Sequence, residues 1–214
     1  MNKEELQALR TDYSRHSLSE EEVHEEPIEQ FRRWLTEAVK AEVDEPNAMT
    51  LSTVDANNRP KSRIVLIKGI EEHGIVFYTN YESDKGREIA EHPHVSVCFF
   101  WTELERQVRI EGTAGKISRD ESKAYFESRP YMSQIGAWTS RQSEVIKGRE
   151  VLEERFEKLQ ERYSEGEVPL PDYWGGYFID PDRFEFWQGR PSRLHDRICY
   201  EKDGNRWSIS RLSP

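Results

Sequence analysis

Residues 184–197 read Phe-Glu-Phe-Trp-Gln-Gly-Arg-Pro-Ser-Arg-Leu-His-Asp-Arg, with aromatic side chains before a breaker group at 189–192 and charged ones after it. Two extended segments around such a group predict a hairpin. A strand sends alternate side chains to one face, so Arg193, His195 and Arg197 are expected to point together, with Leu194 and Asp196 on the other side. Potential cations spaced about 7 Å apart repel unless an anion or water lies among them. The row therefore suits a negatively charged ligand. The alternative is a solvated polar face on an edge strand, where arginine and lysine discourage aggregation.

Other stretches carry the same kind of chemistry. Arg63-Ile-Val-Leu-Ile-Lys68 is a strand bracketed by cations, and five residues of ideal strand put Arg63 and Lys68 on opposite faces, towards different ligands or simply towards water at both ends. Tyr78-Thr79 ends a strand, and Ser83-Asp84-Lys85-Gly86-Arg87 opens a helix whose first amides, with Lys85, would suit a phosphate. Asp84 opposes an anion there, although it favours the helix start. Gln107 lies among strand residues and is either a partner for a heterocycle or an outward polar residue. Tyr125, Arg129 and Ser133 recur every fourth position and would share a helical face, but for Pro130. All three are phosphate donors, and arginine can hold two oxygens at once. Gln142-Ser143 precedes a charged helical stretch, where Ser143 could serve only as a cap.

No GxGxxG, GxxxxGK[ST] or Gly-x-Ser-x-Gly occurs, and His92-Pro-His94 has no further ligands to make a metal site. Chemistry through a bound organic cofactor stays open, because such an enzyme needs phosphate anchors and ring contacts more than a nucleophile. The formal net charge of −10 over 214 residues argues against general nucleic-acid binding. Cys98 and Cys199 form no metal spacing and read as buried free thiols of a reducing compartment. No secretory leader or membrane-length apolar run is present, so a cytoplasmic location away from membranes is expected.

The elements that must position these residues follow from periodicity. Residues 3–12 predict a short helix, and 17–26, with five glutamates, a mobile polar segment. Ile28, Phe31, Trp34, Leu35 and Ala38 form a helical stripe after Pro27. Strands are expected at 48–54, 60–70, 75–80, 95–101, 107–117, 176–179, 184–187, 193–200 and 207–209. Helices are expected at 83–90, 118–128 and 143–163, the last with Val145, Ile146, Val151, Leu152, Phe156 and Leu159 towards the core; 133–143 is ambiguous. Mostly antiparallel strands with peripheral helices predict an α+β fold whose sheet closes into a barrel. Two parts are expected: residues 1–26 as a mobile N-terminal segment, and 27–214 as one domain.

Taken together, these stretches resemble the pyridoxamine (pyridoxine) 5'-phosphate oxidases. The most specific match is Glu185-Phe186-Trp187-Gln188, four residues, then Arg193-Leu194-His195-Asp196-Arg197. In the same order follow residues 63–68, Tyr78-Thr79, Glu105-Arg106-Gln107, Ser128-Arg129-Pro130 with Ser133-Gln134-Ile135-Gly136-Ala137-Trp138, and Val168-Pro169-Leu170-Pro171 with Trp174-Gly175-Gly176. The resemblance implies a split β-barrel homodimer binding FMN at the subunit interface. It implies oxidation of pyridoxamine or pyridoxine 5'-phosphate to pyridoxal 5'-phosphate, with dioxygen reduced to hydrogen peroxide. It places Arg63, Ile64, Val65, Leu66, Ile67, Lys68, Tyr78, Thr79, Lys85, Gln107, Gln142, Ser143, Trp187 and Arg197 at FMN. It places Lys68, Tyr125, Arg129, Ser133, Arg193, Leu194 and His195 at the substrate, with Arg10 and Tyr13 as a flap and Arg193 and His195 nearest the reaction. Two departures from the family pattern stand out: Asp84, where a basic residue is usual and whose contact Arg87 could replace, and Thr11, where a second flap arginine often follows Arg10. Rival readings are another FMN-dependent split-barrel reductase and a vitamer carrier without turnover.

Overall fold

The computed structural model describes residues 1–9, 12–164 and 167–214. Among these the helices are α1 (Lys3–Ala8), α2 (Pro27–Lys40), α3 (Asp84–Glu91), α4 (Arg119–Ser128), α5 (Tyr131–Thr139) and α6 (Glu150–Arg162). The strands are β1 (Ala48–Val54), β2 (Pro60–Ile70), β3 (Ile75–Asn80), β4 (His94–Trp101), β5 (Arg106–Lys116), β6 (Trp174–Gln188), β7 (Asp196–Asp203) and β8 (Arg206–Arg211). They pair in the order β3-β2-β1-β4-β5-β6-β7-β8, and a further pairing of β3 with β6 closes six of them into an antiparallel barrel. This is the α+β barrel expected from the strand pattern, in the split form that the family resemblance implied.

The chain divides into two compact units, one of Thr50–Ser96 and Gly112–Asp180, the other of Met1–Met49, Val97–Glu111 and Pro181–Pro214. The sequence suggested one domain after residue 26. Each unit is assembled from separated stretches, and β4, β5 and β6 each contribute residues to both, so no linker marks the division.

In the unit containing α3 to α6, Ser83 caps α3 by accepting from the Gly86 amide, and Ser118 with Glu121 forms a capping box on α4. Arg129 is extended (φ −75°, ψ 149°) because it precedes Pro130, which separates α4 from α5. Phe126, Ile135, Val168 and Trp174 form a buried cluster on which Phe156 and Leu159 of α6 pack. The helix expected over 143–163 is shorter. Ser143 has a left-handed backbone (φ 73°), α6 begins only at Glu150, and Val145, expected in the core, is 96% exposed. Apolar side chains at 145 and 146 mimicked a helical stripe that the backbone does not continue.

In the other unit, α2 starts at Pro27 and buries Ile28, Phe31, Trp34 and Ala38. Phe31 packs on Phe99 (5.0 Å between ring centres) and Trp34 on Phe186 (5.3 Å), burials that contribute roughly 1.5–3 kcal/mol per large side chain. α1 is shorter than expected, and Leu6 and Leu9 are exposed. The acidic stretch 17–26 is anchored at several points. Leu18 is buried, its amide donates to Asp196 (3.1 Å), and Arg211 holds both the Leu18 carbonyl and Glu20. The two segments expected at 176–179 and 184–187 belong to one strand, β6. Its ladder with β3 ends at Ile179 and its ladder with β7 begins at Arg183, so Pro181, lacking an N–H, falls between them.

Candidate functional site

The expected site residues gather in two clusters, one in each unit. The first lines a cavity of about 940 Å³ whose wall includes Arg63, Ile64, Val65, Leu66 and Lys68 of β2, and Tyr78 and Thr79 of β3. It also includes Lys85 of α3, Tyr125 of α4, Arg129 and Ser133 at the α4–α5 junction, and Gln142 and Ser143 beyond α5. Ile67, by contrast, points into the core at 4% exposure. Arg63 and Lys68, expected on opposite faces, line the same cavity. The β2–β3 register advances from Ile67↔Phe77 to Gly69↔Val76, which makes Lys68 an extra, bulged residue and breaks the alternation there.

The cations of this cavity differ in how they are balanced. Arg63 donates to Glu88 (2.8 Å) and to Thr53, whose hydroxyl also reaches Glu88. Nothing near Arg63 in sequence marks Glu88, 25 residues away, so this partner was not foreseen. Lys85 is buried, and its ammonium donates to the Gln142 side-chain oxygen (2.8 Å) and the Thr79 and Ser83 hydroxyls (each 3.3 Å). Burial, with the nearby positive charge of Arg63, pulls its pKa down to about 8. Arg129 lies over the Trp174 ring (4.7 Å) and near Phe126 (5.7 Å), and its Nη1 is buried without a hydrogen-bond partner. Burial pulls this guanidinium down as well. Tyr125 stacks on Tyr78 at 3.8 Å, and Tyr78 in turn on Trp174. Gly176 admits this stack, because a Cβ there would lie 3.0 Å from the Tyr78 ring and 2.4 Å from Ile117.

Asp84 also lines the cavity. Its carboxylate accepts from Arg87 (2.5 Å) and its amide donates to the Ser143 hydroxyl (3.2 Å). Ser143 therefore serves the start of α3, not that of the helix following it in sequence. Such a cavity, with one buried ammonium held by neutral groups and one orphaned guanidinium nitrogen, fits phosphate-bearing ligands.

The second cluster surrounds a cavity of about 780 Å³ lined by Leu9, Asp12, Tyr13, Arg190, Ser192, Arg193 and His195. Arg10 lies outside the described residues. Tyr13 packs edge-on against Trp187 (5.6 Å) and His195 (5.9 Å), and Trp187 and His195 lie 4.6 Å apart. The expected row of cations on one strand does not form. Residues 191–193 make a 3-10 turn, Ser192 and Arg193 have left-handed backbones (φ 57° and 61°), and β7 begins only at Asp196. Adjacent left-handed non-glycine residues cost about 1–3 kcal/mol each and tend to collect at functional sites. Arg193 and His195 come together on this turn instead, and Leu194 is exposed.

The His195 Nδ1 accepts from the Arg190 amide (3.1 Å), so the neutral ring carries its proton on Nε2. Burial, then the positive charge of Arg193, lowers its pKa and favours that neutral form. Arg197 leaves the row altogether: its Nε donates to buried Glu185 (2.9 Å) and its Nη1 to the Ser213 carbonyl. Gln107 lies on the half-exposed face of β5, on the same side as Arg109 and Glu111, and borders neither cavity. Among the described residues no group of acidic, histidine or cysteine side chains could hold a metal ion, and no helix is long and apolar enough to cross a membrane.

Comparison with known proteins agrees with this geometry. Residues 35–163 match the family described as pyridoxamine 5'-phosphate oxidase, and residues 174–214 match the pyridoxine 5'-phosphate oxidase C-terminal dimerisation region. The chain is 57% identical over 212 residues to a pyridoxine/pyridoxamine 5'-phosphate oxidase of Burkholderia ambifaria, covering 98% of this chain and 99% of that one. It is 52% identical over 213 residues to that of Crocosphaera subtropica, covering 98% and 100%. Among solved structures, PhzG from Burkholderia lata, in complex with tetrahydrophenazine-1-carboxylic acid, superposes with a TM-score of 0.88 at 32% identity, over 94% of this chain and 100% of that one. These matches, over nearly the whole chain, show its family: the chain belongs to the pyridoxamine 5'-phosphate oxidase family.

Proposed function

We propose that the protein oxidises pyridoxamine 5'-phosphate or pyridoxine 5'-phosphate to pyridoxal 5'-phosphate, using FMN and dioxygen and releasing hydrogen peroxide. FMN, when bound, supplies the acceptor for a hydride leaving the 4' carbon and passes the electron pair to dioxygen. With the amine as substrate, hydrolysis of the resulting imine releases ammonia.

The observation that carries this reading is the unpartnered Nη1 of Arg129, buried in a cavity where Lys85 is held only by hydroxyls and an amide oxygen. Buried cations left in this condition call for anions. Arg63 and Lys85, with Thr79, Gln142 and Ser143, would hold the FMN phosphate, and residues 64–68 with Tyr78 would contact the rest of the cofactor. Arg129, with Tyr125, Ser133 and Lys68, would hold the substrate phosphate. Arg197, already balanced by Glu185, suits an uncharged part of the cofactor, together with Trp187 and Gln107. Arg193 would cover the pyridine ring and Leu194 would lie beside it. His195, proton on Nε2, would donate a hydrogen bond or move a proton beside the reacting carbon. Tyr13, with Arg10, would close over the substrate. Most of the rate would come from orientation of the donor carbon.

The reading includes a homodimer with FMN at the subunit interface. Its support is the dimerisation region matched over 174–214, which contains Trp187, Arg193, His195 and Arg197. The test is peroxide release from the purified protein on adding pyridoxamine 5'-phosphate, with a visible spectrum taken beforehand. A flavin spectrum and stoichiometric peroxide are expected. A flavin-loaded protein that binds the vitamer but releases no peroxide would make it a carrier.

A further inference from the structure

Glu105 is a buried carboxylate that the proposed chemistry leaves unused. It adopts a left-handed backbone (φ 54°, ψ 41°) between a 3-10 turn and β5. Its side chain faces the N-terminal segment: Oε2 accepts from the backbone amides of Ser14 (2.9 Å) and Arg15 (3.0 Å), and Oε1 lies 3.8 Å from the Arg15 guanidinium. Its main chain faces the other way, with the carbonyl accepting from the Gly189 amide (2.7 Å) and the Gln188 side chain (3.2 Å). One residue thus grips the segment just after Tyr13 and the strand end just before the turn bearing Arg193 and His195. The two are pressed together there. A Cβ on Gly189 would sit 2.7 Å from the Tyr13 Cβ and 3.0 Å from that of Glu105, so only glycine lets Tyr13 lie this close.

We propose that Glu105 is a positioning residue for substrate closure: its carboxylate fixes the backbone beyond Tyr13 while its carbonyl fixes the start of the Arg190–His195 turn, setting Tyr13 against His195. A charged acceptor suits this task, because it binds two successive amides more strongly than a neutral one. The inference rests on the reading above that Tyr13, Arg193 and His195 handle the substrate.

The test uses the full chain loaded with FMN and the variants Glu105→Gln and Glu105→Ala. Without substrate, trypsin should cut after Arg15 about tenfold faster in Glu105→Ala, and by a smaller factor in Glu105→Gln, which keeps one acceptor. With substrate, the KM for pyridoxamine 5'-phosphate should rise about tenfold in the alanine variant while FMN content stays at the parent level. Placed on Tyr13→Ala, the Glu105 substitution should raise KM no further, because the residue it positions is gone, while cleavage after Arg15 should still be faster, because the Ser14 and Arg15 amides are freed all the same. Parent-like cleavage and KM in both variants would overturn the proposal, and so would a KM effect that simply adds to that of Tyr13→Ala. Should the alanine variant not fold, the glutamine variant decides alone. The cleavage arm needs no turnover, so a parent that releases no peroxide sinks the functional reading and leaves this one to be judged.

Discussion

Two regions of the molecule are rich in cations, and they treat them in opposite ways. In the strand cluster, Glu185 is 2% exposed and faces Arg197, Arg109 and Arg183, while Glu111 bridges the last two. Burial alone would raise the Glu185 carboxyl, but the hydrogen bond and charge of Arg197, with the charges of Arg109 and Arg183, outweigh it and hold it below the ordinary range. In the cavity, Arg63 is paired with Glu88, but Lys85 meets only neutral acceptors within hydrogen-bonding distance, and one nitrogen of Arg129 meets none. The first arrangement holds the fold together. The second is costly without an anion, and the proposed phosphate sites rest on that cost.

The largest expected effect breaks the first region. Glu185→Ala would leave three arginines without their buried partner and should lower unfolding free energy by about 3–5 kcal/mol, measurable by denaturant titration. The sign with pH follows from the depressed carboxyl: its contribution is fully present above the ordinary carboxylate value and is lost as pH falls through the depressed one. Glu185→Gln should therefore unfold in acid with a shallower dependence on pH over that window than the parent.

Lys85→Met, by contrast, should leave the stability of the cofactor-free protein unchanged or raised, because burial and the charge of Arg63 outweigh the more distant carboxylates of Asp84 and Glu88 at that ammonium. FMN affinity should fall about 100-fold, as expected for losing a charge-assisted contact to phosphate. Arg129→Leu should raise the substrate KM about 30-fold, with flavin content unchanged in dialysed protein. A smaller effect comes with pH. Burial pulls the pKa of the Lys85 ammonium down to about 8, so above the second ionisation of the phosphate, at about pH 6, FMN affinity should weaken as pH rises from about 7 through 8. Fluorescence titration across that range checks this, with riboflavin as the control expected to show no such loss.

Much of the architecture was legible because period and punctuation agree locally. Pro27 with its stripe, Ser83 at the opening of α3, and the alternation in β4 each point one way. Failures arose where a single backbone feature overrode the pattern. The bulge at Lys68 brought two cations to one cavity, left-handed Ser192 and Arg193 replaced a strand by a turn, and left-handed Ser143 delayed α6 to Glu150. None of these residues is a glycine that would have announced the conformation. Several residues proposed for the site line the first cavity, whereas Ile67, Gln107, Trp187 and Arg197 do not. Its balance of charge was not foreseen, since Glu88 pairs with Arg63 and Gln142 with Lys85 only through the fold. Arg197 shows the converse: its type suggested a free cation, and Glu185, twelve residues earlier, had already claimed it.

The contrast between balanced and unbalanced cations is tested most directly by measuring the affinities of FMN and riboflavin side by side for the parent, Lys85→Met and Arg197→Lys. The two ligands differ only in the phosphate. The parent should strongly prefer FMN, Lys85→Met should lose most of that preference, and Arg197→Lys should keep it even if both ligands bind more weakly. A preference that survives in Lys85→Met and vanishes in Arg197→Lys would contradict the account.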